Sequence, residues 1–204
     1  MTDAQHTLLF ASGNQGKLRE AQEIFAQVGF AVISPSSITE VSNLDVPETG
    51  DTFAENAQLK ARAYGQKSGM VTFADDSGIE VTALGGEPGV HSARWVEGTE
   101  HDRNLALLKR MEGQTDRRAK FVSVIALYDP KTDSTEFFRG EIAGELALEP
   151  RGSGGFGYDP LLIPEGHSQT FAQLGDVVKN SISHRYRAMM GLVEFLRRRL
   201  PLSK

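Results

Sequence analysis

The spacing of apolar residues predicts alternating strands and helices in the first half of the chain. Short apolar runs at residues 8–11, 31–34 and 70–74 predict buried strands. Between them, residues 18–28 and 53–64 carry apolar side chains at helical spacing, and each segment predicts a helix with one buried face. This alternation is typical of a sheet with helices packed against it.

The second half of the chain predicts a different pattern, with a hairpin among its strands. The segments with strand character are residues 120–128, 135–140, 142–148 and 161–163. Helical spacing recurs at residues 102–111 and in a final helix whose apolar residues are Met189, Leu192, Val193, Leu196 and Leu200. The prediction is an α/β fold with a mixed β-sheet flanked by helices, in a single domain covering residues 1–204.

Composition narrows the classes of function. The chain has 204 residues, of which 39% are hydrophobic, so it can bury a substantial core. It has no cysteine, which excludes disulfides, thiolate metal ligands and a cysteine nucleophile. The net charge of −5, without a basic block, argues against nucleic-acid binding. No apolar run is long enough for a membrane span and the first residues do not look like a signal peptide, so a cytoplasmic location is expected.

The first candidate site is the turn between the first strand and helix, where the chain reads ASGNQGKLRE. It is not the common P-loop, because Gly13 and Gly16 are three residues apart and Lys17 is followed by leucine. Backbone amides near these glycines, the helix N-terminus and the lysine charge can nevertheless bind a phosphate. The alternative is an ordinary tight turn with a surface lysine.

Acidic residues form the second candidate site. Asp75 and Asp76 follow an apolar run, and neighbouring residues on a strand point to opposite faces. We therefore expect one carboxylate to reach a pocket and the other to brace the loop, unless both belong to a simple Asp-Ser-Gly turn. Upstream, Asp51 is explained as a helix cap and Glu55 as an ordinary acid of the first helical turn, which leaves Glu48 as the better candidate for a second Mg²⁺ ligand.

The loop GSGGFGYDP has four glycines within residues 152–157, which is costly in chain entropy unless the backbone approaches a ligand closely. Phe156 is a candidate to stack on a flat base, and Asp159 to accept hydrogen bonds. The alternative is a flexible connection with Phe156 and Tyr158 packed in the core. Downstream, His184 and Arg185 fall in the first turn of the last helix, where cations oppose the helix dipole, so another role is indicated.

In this order, the motifs resemble the inosine triphosphate pyrophosphatases, enzymes that hydrolyse non-standard purine nucleoside triphosphates, and the bacterial branch fits best. The matching stretches are ASGNQGKLRE, ETGDTFAENAQLKARA, ADDSGIEV, LGGEPGVHSARW, GSGGFGYDP and SISHR. They extend from residue 11 to residue 185. The resemblance implies an elongated mixed sheet with two lobes and a central cleft, a homodimer, and Mg²⁺-dependent conversion of ITP, dITP or XTP to the monophosphate and pyrophosphate.

The resemblance also implies roles for individual residues. Asp76 is expected to be the metal ligand and catalytic base, and Glu48 the second metal ligand, although Pro47 stands where the family often has another acid. The triphosphate is expected to contact Ser12, Gly13, Asn14, Gln15, Gly16, Lys17 and Lys60. The remaining substrate contacts are expected from Ser77, Phe156, Gly157, Tyr158, Asp159, Lys179, His184 and Arg185.

Two alternatives stay open at this point. A Maf-like pyrimidine nucleotide pyrophosphatase would share the architecture and the style of the first loop, but is not expected to combine FGYDP with SISHR. A nucleotide-binding protein without catalysis would bind the triphosphate and release no pyrophosphate. In each case no nucleic acid and no membrane is expected as a partner.

Overall fold

The structure is a computed structural model that describes residues 7–199, so the predicted helical position Leu200 lies outside it. The strands are β1 (Thr7–Phe10), β2 (Ala31–Ile33), β3 (Thr72–Val81), β4 (Arg118–Asp129), β5 (Ser134–Leu146) and β6 (Leu162–Pro164). The helices are α1 (Gln15–Ala26), α2 (Phe53–Ser68), α3 (Glu100–Arg110), α4 (Phe171–Ile182) and α5 (His184–Arg199).

The six strands form one sheet in the order β2-β1-β3-β4-β5-β6. Strand β1 pairs in parallel with β2 and with β3, whereas β5 pairs with β6 in the antiparallel direction. The parallel pairs belong to the first half of the chain, where strands and helices alternate. The predicted mixed sheet flanked by helices is therefore confirmed.

The described chain divides into two compact units. The first unit contains the residues up to Asp76, the segment Ser123–Arg139 and the residues from Tyr186 onward. The second unit contains Ser77–Val122 and Gly140–Arg185. Each unit is built from separate pieces of sequence, and β3, β4 and β5 contribute residues to both.

Two apolar clusters stabilise the first unit. The larger one packs α1 and α5 against the strands, with Phe10, Phe25 and Phe73 among its fully buried rings. The smaller one consists of small residues and one tyrosine: Ala11, Ala57, Ala61, Ala74, Ala126 and Tyr128. Because alanines occupy both α2 and the facing strands, this helix lies close to the sheet. Polar residues on the same helix are thereby brought near strand β3.

A separate core fills the second unit. Its buried residues include Ile79 and Val81 of β3, Leu107 of α3, Phe121 of β4 and Phe171 of α4. Trp95 is half-buried against this core. The glycine-rich loops at residues 84–98 and 151–160 are predicted correctly as irregular segments, apart from short 3-10 turns in the first of them.

The structure differs most from the predicted elements at β3, β5 and α4. Strand β3 runs from Thr72 to Val81 without the bend expected at residues 75–78, after which residues 79–81 would continue it, so Asp75 and Asp76 lie in the middle of a strand. The strands predicted at residues 135–140 and 142–148 are one strand, β5. Helix α4 has no counterpart among the predicted elements. Gly175 lies inside it with a φ of 79°, which is not a helical backbone angle and interrupts the helix.

Among residues 7–199, no helix is long and apolar enough to span a membrane.

Candidate active site

The first group of predicted site residues surrounds the N-terminus of α1. The side chain of Asn14 caps this helix by accepting a hydrogen bond from the backbone N–H of Lys17 at 3.0 Å. Helix α1 therefore begins at Gln15, earlier than predicted, and Gly16 and Lys17 belong to its first turn rather than to a loop. Ser12, Gly13 and Asn14 form the turn before it. The helix N-terminus carries partial positive charge, as the phosphate-binding hypothesis requires.

Asp75 fixes the position of the Lys17 side chain. Its carboxylate is fully buried and lies 2.9 Å from the Lys17 ammonium. The other carboxylate oxygen accepts a hydrogen bond of 2.5 Å from the hydroxyl of Ser123, which is also buried. Asp75 thus has the bracing role expected of one member of the acidic pair.

Asp76 points to different partners, as the alternation of side chains along a strand requires. Asn56 donates a hydrogen bond to its Oδ2 at 3.2 Å, and the ammonium of Lys60 lies 3.6 Å from its Oδ1. Burial raises the pKa of Asp76 because it disfavours the charged carboxylate, although the charges of Lys60 and Lys17 oppose this rise. A buried carboxylate with raised proton affinity is suited to accept a proton from water.

Glu48 shares the same lysine. The Lys60 ammonium donates to Glu48 Oε1 at 2.6 Å and to the backbone carbonyl of Asp75 at 3.1 Å. Lys60 therefore joins the loop that precedes α2 to strand β3. We call Lys17, Glu48, Lys60, Asp75 and Asp76 the acid–amine cluster.

The acid–amine cluster fits a divalent cation that takes most of its ligands from groups other than protein side chains. Its three carboxylates face two ammonium groups, and Glu48 and Asp76 have to share one of them. Across residues 7–199, no group of three or more histidine or acidic side chains is arranged to hold a metal alone. This donor set suits Mg²⁺, which proteins usually hold with one or two carboxylates plus phosphate oxygens and water.

The second group of site residues lies in the second unit, around the loop GSGGFGYDP. Asp159 is buried, and its Oδ2 accepts hydrogen bonds from the backbone N–H of Phe156 at 2.9 Å and from the Lys179 ammonium at 2.6 Å. Gly155 has a φ of 70°, and a Cβ there would collide with the Asp159 carboxylate. The glycine is therefore needed for this loop to close on its aspartate.

Two cations flank the ring of Phe156. The Lys179 ammonium lies 4.0 Å from the ring centroid, and the guanidinium carbon of Arg185 lies 5.3 Å from it. Arg185 is 2% exposed and donates a hydrogen bond to the hydroxyl of Ser77 at 3.0 Å. We call Phe156, Asp159, Lys179 and Arg185 the aromatic–cation cluster.

His184 lies beside this cluster in sequence and is buried. Its ring packs on Phe121 with 4.8 Å between centroids. A buried imidazole packed on an aromatic ring is compatible with a residue that contacts a ligand and equally with a residue of the core.

Tyr158 is a core residue in this structure. Its ring belongs to the apolar core of the second unit, and its hydroxyl donates to the backbone carbonyl of Ser92 at 2.9 Å. Burial raises the pKa of Tyr158 to about 12. The packing interpretation of Tyr158 thus describes its position, while contact of Phe156, Gly157 or Tyr158 with a nucleotide stays a prediction.

Several supporting residues were missed by the sequence reasoning. Ser123 bonds to Asp75, Asn56 to Asp76, and Asn104 donates to the carbonyl of Gly157 at 3.0 Å. Asn56 belongs to the stretch ETGDTFAENAQLKARA, yet nothing in its spacing distinguishes it from an ordinary polar residue of a helix. The other two lie far along the sequence from the groups they hold, so no local signal identifies them.

Comparison with known proteins shows the family to which the chain belongs. A model of the Ham1 family matches residues 8–195. A dITP/XTP pyrophosphatase from Symbiobacterium thermophilum is 49% identical over 195 residues, which are 95% of this chain and 96% of that protein. A protein of the same name from Aquifex aeolicus is 42% identical, covering 93% of this chain and 96% of the other.

Solved structures give the same result. The Ham1 protein of Staphylococcus aureus superimposes with a TM-score of 0.85 at 40% identity, covering 95% of this chain and all of that one. The nucleoside-triphosphatase / dITP/XTP pyrophosphatase of Mycobacterium abscessus has a TM-score of 0.73 at 37% identity, with 91% of this chain and 98% of that chain covered. The chain therefore shares its mixed-sheet fold with these proteins. The chain belongs to the Ham1 family.

Proposed function

We propose that this protein hydrolyses the non-standard purine nucleoside triphosphates ITP, dITP and XTP to the monophosphate and pyrophosphate. The observation that carries the proposal is the acid–amine cluster, in which a buried aspartate is held beside two lysines and a second carboxylate. Relatives that match nearly the whole chain are named dITP/XTP pyrophosphatases, which supports the same activity here.

The proposed reaction adds water at the α-phosphorus. The new bond joins the water oxygen to that phosphorus, the bond to the α–β bridging oxygen breaks, and the electron pair leaves with pyrophosphate. We assign the proton of the attacking water to Asp76, whose raised pKa makes it a stronger base than an exposed aspartate. Lys17 and the amides at the N-terminus of α1 are proposed to stabilise the charge that grows on the leaving group.

The proposed cofactor is Mg²⁺, with Asp76 and Glu48 as its protein ligands. When bound, the ion would supply positive charge to the phosphate oxygens and lower the pKa of a coordinated water. Lys60 contacts both carboxylates and is proposed to reach the phosphates as well. The ion pair with Asp75 would hold the Lys17 side chain with or without the metal ion.

The aromatic–cation cluster is the proposed binding site for the purine. Hypoxanthine and xanthine have a carbonyl at C6 and a hydrogen on N1, whereas adenine has an amino group at C6 and no hydrogen on N1. Donors such as His184 and Arg185, together with backbone groups, would pair with the C6 carbonyl. With adenine in the site, the same donors would have no acceptor at C6. Buried donors without an acceptor cost free energy, and this cost would disfavour ATP as a substrate. Phe156 is proposed to stack on the base.

The test is a panel of nucleoside triphosphates assayed for pyrophosphate release with Mg²⁺. We expect ITP, dITP and XTP to be hydrolysed with kcat/KM at least 100-fold above that for ATP. Preference for pyrimidine triphosphates would instead indicate a Maf-like enzyme. Nucleotide binding without pyrophosphate release would indicate a non-catalytic protein, and either result would refute the proposal.

Two further properties belong to the proposal. The expected place of action is the cytoplasm, where nucleoside triphosphates are made and consumed. A homodimer is expected from the family resemblance, and light scattering on the purified protein would measure its mass against that of a single chain.

A further inference from the structure

We propose that Asn56 is a positioning residue for the metal site, because its side-chain amide holds Asp76 directly and Glu48 through the loop that carries it. The inference rests on the proposed function, which assigns these two carboxylates to Mg²⁺. Asn56 lies in the first turns of α2 and is completely buried.

The donor side of the amide orients Asp76. Its Nδ2 donates to Asp76 Oδ2 at 3.2 Å, while the Lys60 ammonium lies 3.6 Å from Oδ1. Asn56 and Lys60 are four residues apart on α2 and therefore share one face of the helix. A single rigid element thus restrains both oxygens, and rotation of the carboxylate would weaken at least one contact.

The acceptor side of the amide fixes the loop of Glu48. Asn56 Oδ1 accepts a hydrogen bond from the backbone N–H of Gly50 at 2.8 Å. A Cβ at Gly50 would lie 2.6 Å from the Cβ of Glu55 and 2.9 Å from Asn56 Oδ1. Only glycine allows this close approach, which places the backbone two residues after Glu48 against the helix.

An amide is the group that this position requires. It presents a donor and an acceptor on one planar group and carries no charge. An aspartate would direct a second carboxylate at Asp76, and a leucine would remove the hydrogen bonds to both Gly50 and Asp76. Removing groups that orient metal ligands typically weakens metal binding 10- to 100-fold.

The experiment measures Mn²⁺ binding to the nucleotide-free protein by electron paramagnetic resonance, with Asn56→Leu as the variant. We expect the Kd for Mn²⁺ to rise about tenfold or more, and the Mg²⁺ concentration for half-maximal pyrophosphate release to rise in parallel. The matched control is Gln22→Leu, which removes an amide that donates to the Val32 carbonyl at 3.1 Å in the same unit. We expect this control to bind Mn²⁺ like the unaltered protein.

A second variant, Asn56→Ser, covers the case in which leucine prevents folding as judged by circular dichroism. It keeps the position polar and removes the long reach of the amide, so weaker Mn²⁺ binding is again expected. Unchanged Mn²⁺ affinity in a folded Asn56 variant would overturn the inference, as would an equal loss in Gln22→Leu. Failure of the proposed function is separate, because it would appear as absence of pyrophosphate release from the unaltered chain.

Discussion

At the scale of single residues, the acidic pair on β3 shows how one strand supplies two roles. Asp75 contacts Lys17 and Ser123, whereas Asp76 contacts a neutral amide and a lysine that it shares with Glu48. The difference in partners, rather than the residue type, separates the brace from the proposed base. Burial alone would not distinguish them, since both are almost inaccessible.

Asp76→Asn is expected to lower kcat for ITP hydrolysis by at least about 100-fold, since the amide cannot accept the proton of water. Asparagine has nearly the same shape as aspartate, so circular dichroism should show an unchanged fold. Asp129→Asn, at the end of β4 where Asp129 accepts a hydrogen bond from the backbone N–H of Lys131, is the matched control and should leave kcat unaltered. Retained turnover in Asp76→Asn would remove this residue from the mechanism.

The buried pair of Asp159 and Lys179 gives a second prediction at this scale. Asp159→Asn leaves a buried ammonium without its carboxylate, which typically costs about 3–5 kcal/mol in the free energy of unfolding. Asp133→Asn interrupts an exposed pair with Arg62 and should cost no more than about 1 kcal/mol. Urea unfolding of both variants measures the difference, and equal losses would show that burial of the pair adds nothing.

At the scale of elements, α2 depends on small residues to lie close to the sheet. Its Ala57 and Ala61 belong to the alanine-rich cluster, and a Cβ at Gly65 would come within 2.5 Å of the Tyr128 ring. This close approach is what brings the acid–amine cluster together, since Lys60 lies on the same helix.

Gly65→Ala is expected to lower the free energy of unfolding by about 1 kcal/mol, because overpacking costs about 1–3 kcal/mol and the gain in helix propensity offsets part of it. Gly191→Ala in α5 is the matched control, with its nearest neighbour, Phe138, at an ordinary 3.4 Å. The control should gain about 0.5–1 kcal/mol. Chemical denaturation measures both changes, and a stabilised Gly65→Ala variant would contradict the packing argument.

The errors of the sequence predictions have physical causes at this same scale. The sequence predicts a bend at residues 75–78 of β3 because polar residues and a glycine after an apolar run resemble a turn, yet partners distant in sequence hydrogen-bond to both carboxylates. Helix α4 was missed because Gly175 breaks its periodicity, although its capping box of Thr170 and Gln173 was a readable signal. The glycine loops and the alternation of strands and helices in the first half of the chain are predictable because both are local patterns.

At the scale of the whole molecule, the chain passes between its two compact units at Asp76–Ser77, Val122–Ser123, Arg139–Gly140 and Arg185–Tyr186. Neither unit is a continuous piece of sequence, so neither can be excised by a single cut. This is the basis for proposing that residues 1–204 act as one domain.

One cooperative unfolding transition is therefore expected. The only tryptophan, Trp95, packs against the core of the second unit, so its fluorescence reports on that unit. Far-UV circular dichroism also reports on α1, α2 and most of α5 in the first unit. Coincident denaturation midpoints from the two signals would support a single domain, and separated midpoints would show that the units unfold independently.

Lys60 has a consequence for how the enzyme is handled at the bench. Its ammonium contacts both Glu48 and Asp76 and offsets one of their two negative charges, so the folded protein without a divalent ion is left with one excess charge rather than two unopposed carboxylates. Treatment with EDTA is thus expected to abolish turnover while the melting temperature of the nucleotide-free protein changes by less than about 2 °C, and added Mg²⁺ should restore full activity. A chelator would then inhibit turnover reversibly without unfolding the protein. A large drop in melting temperature would show that Lys60 does not stabilise the two carboxylates without the metal ion.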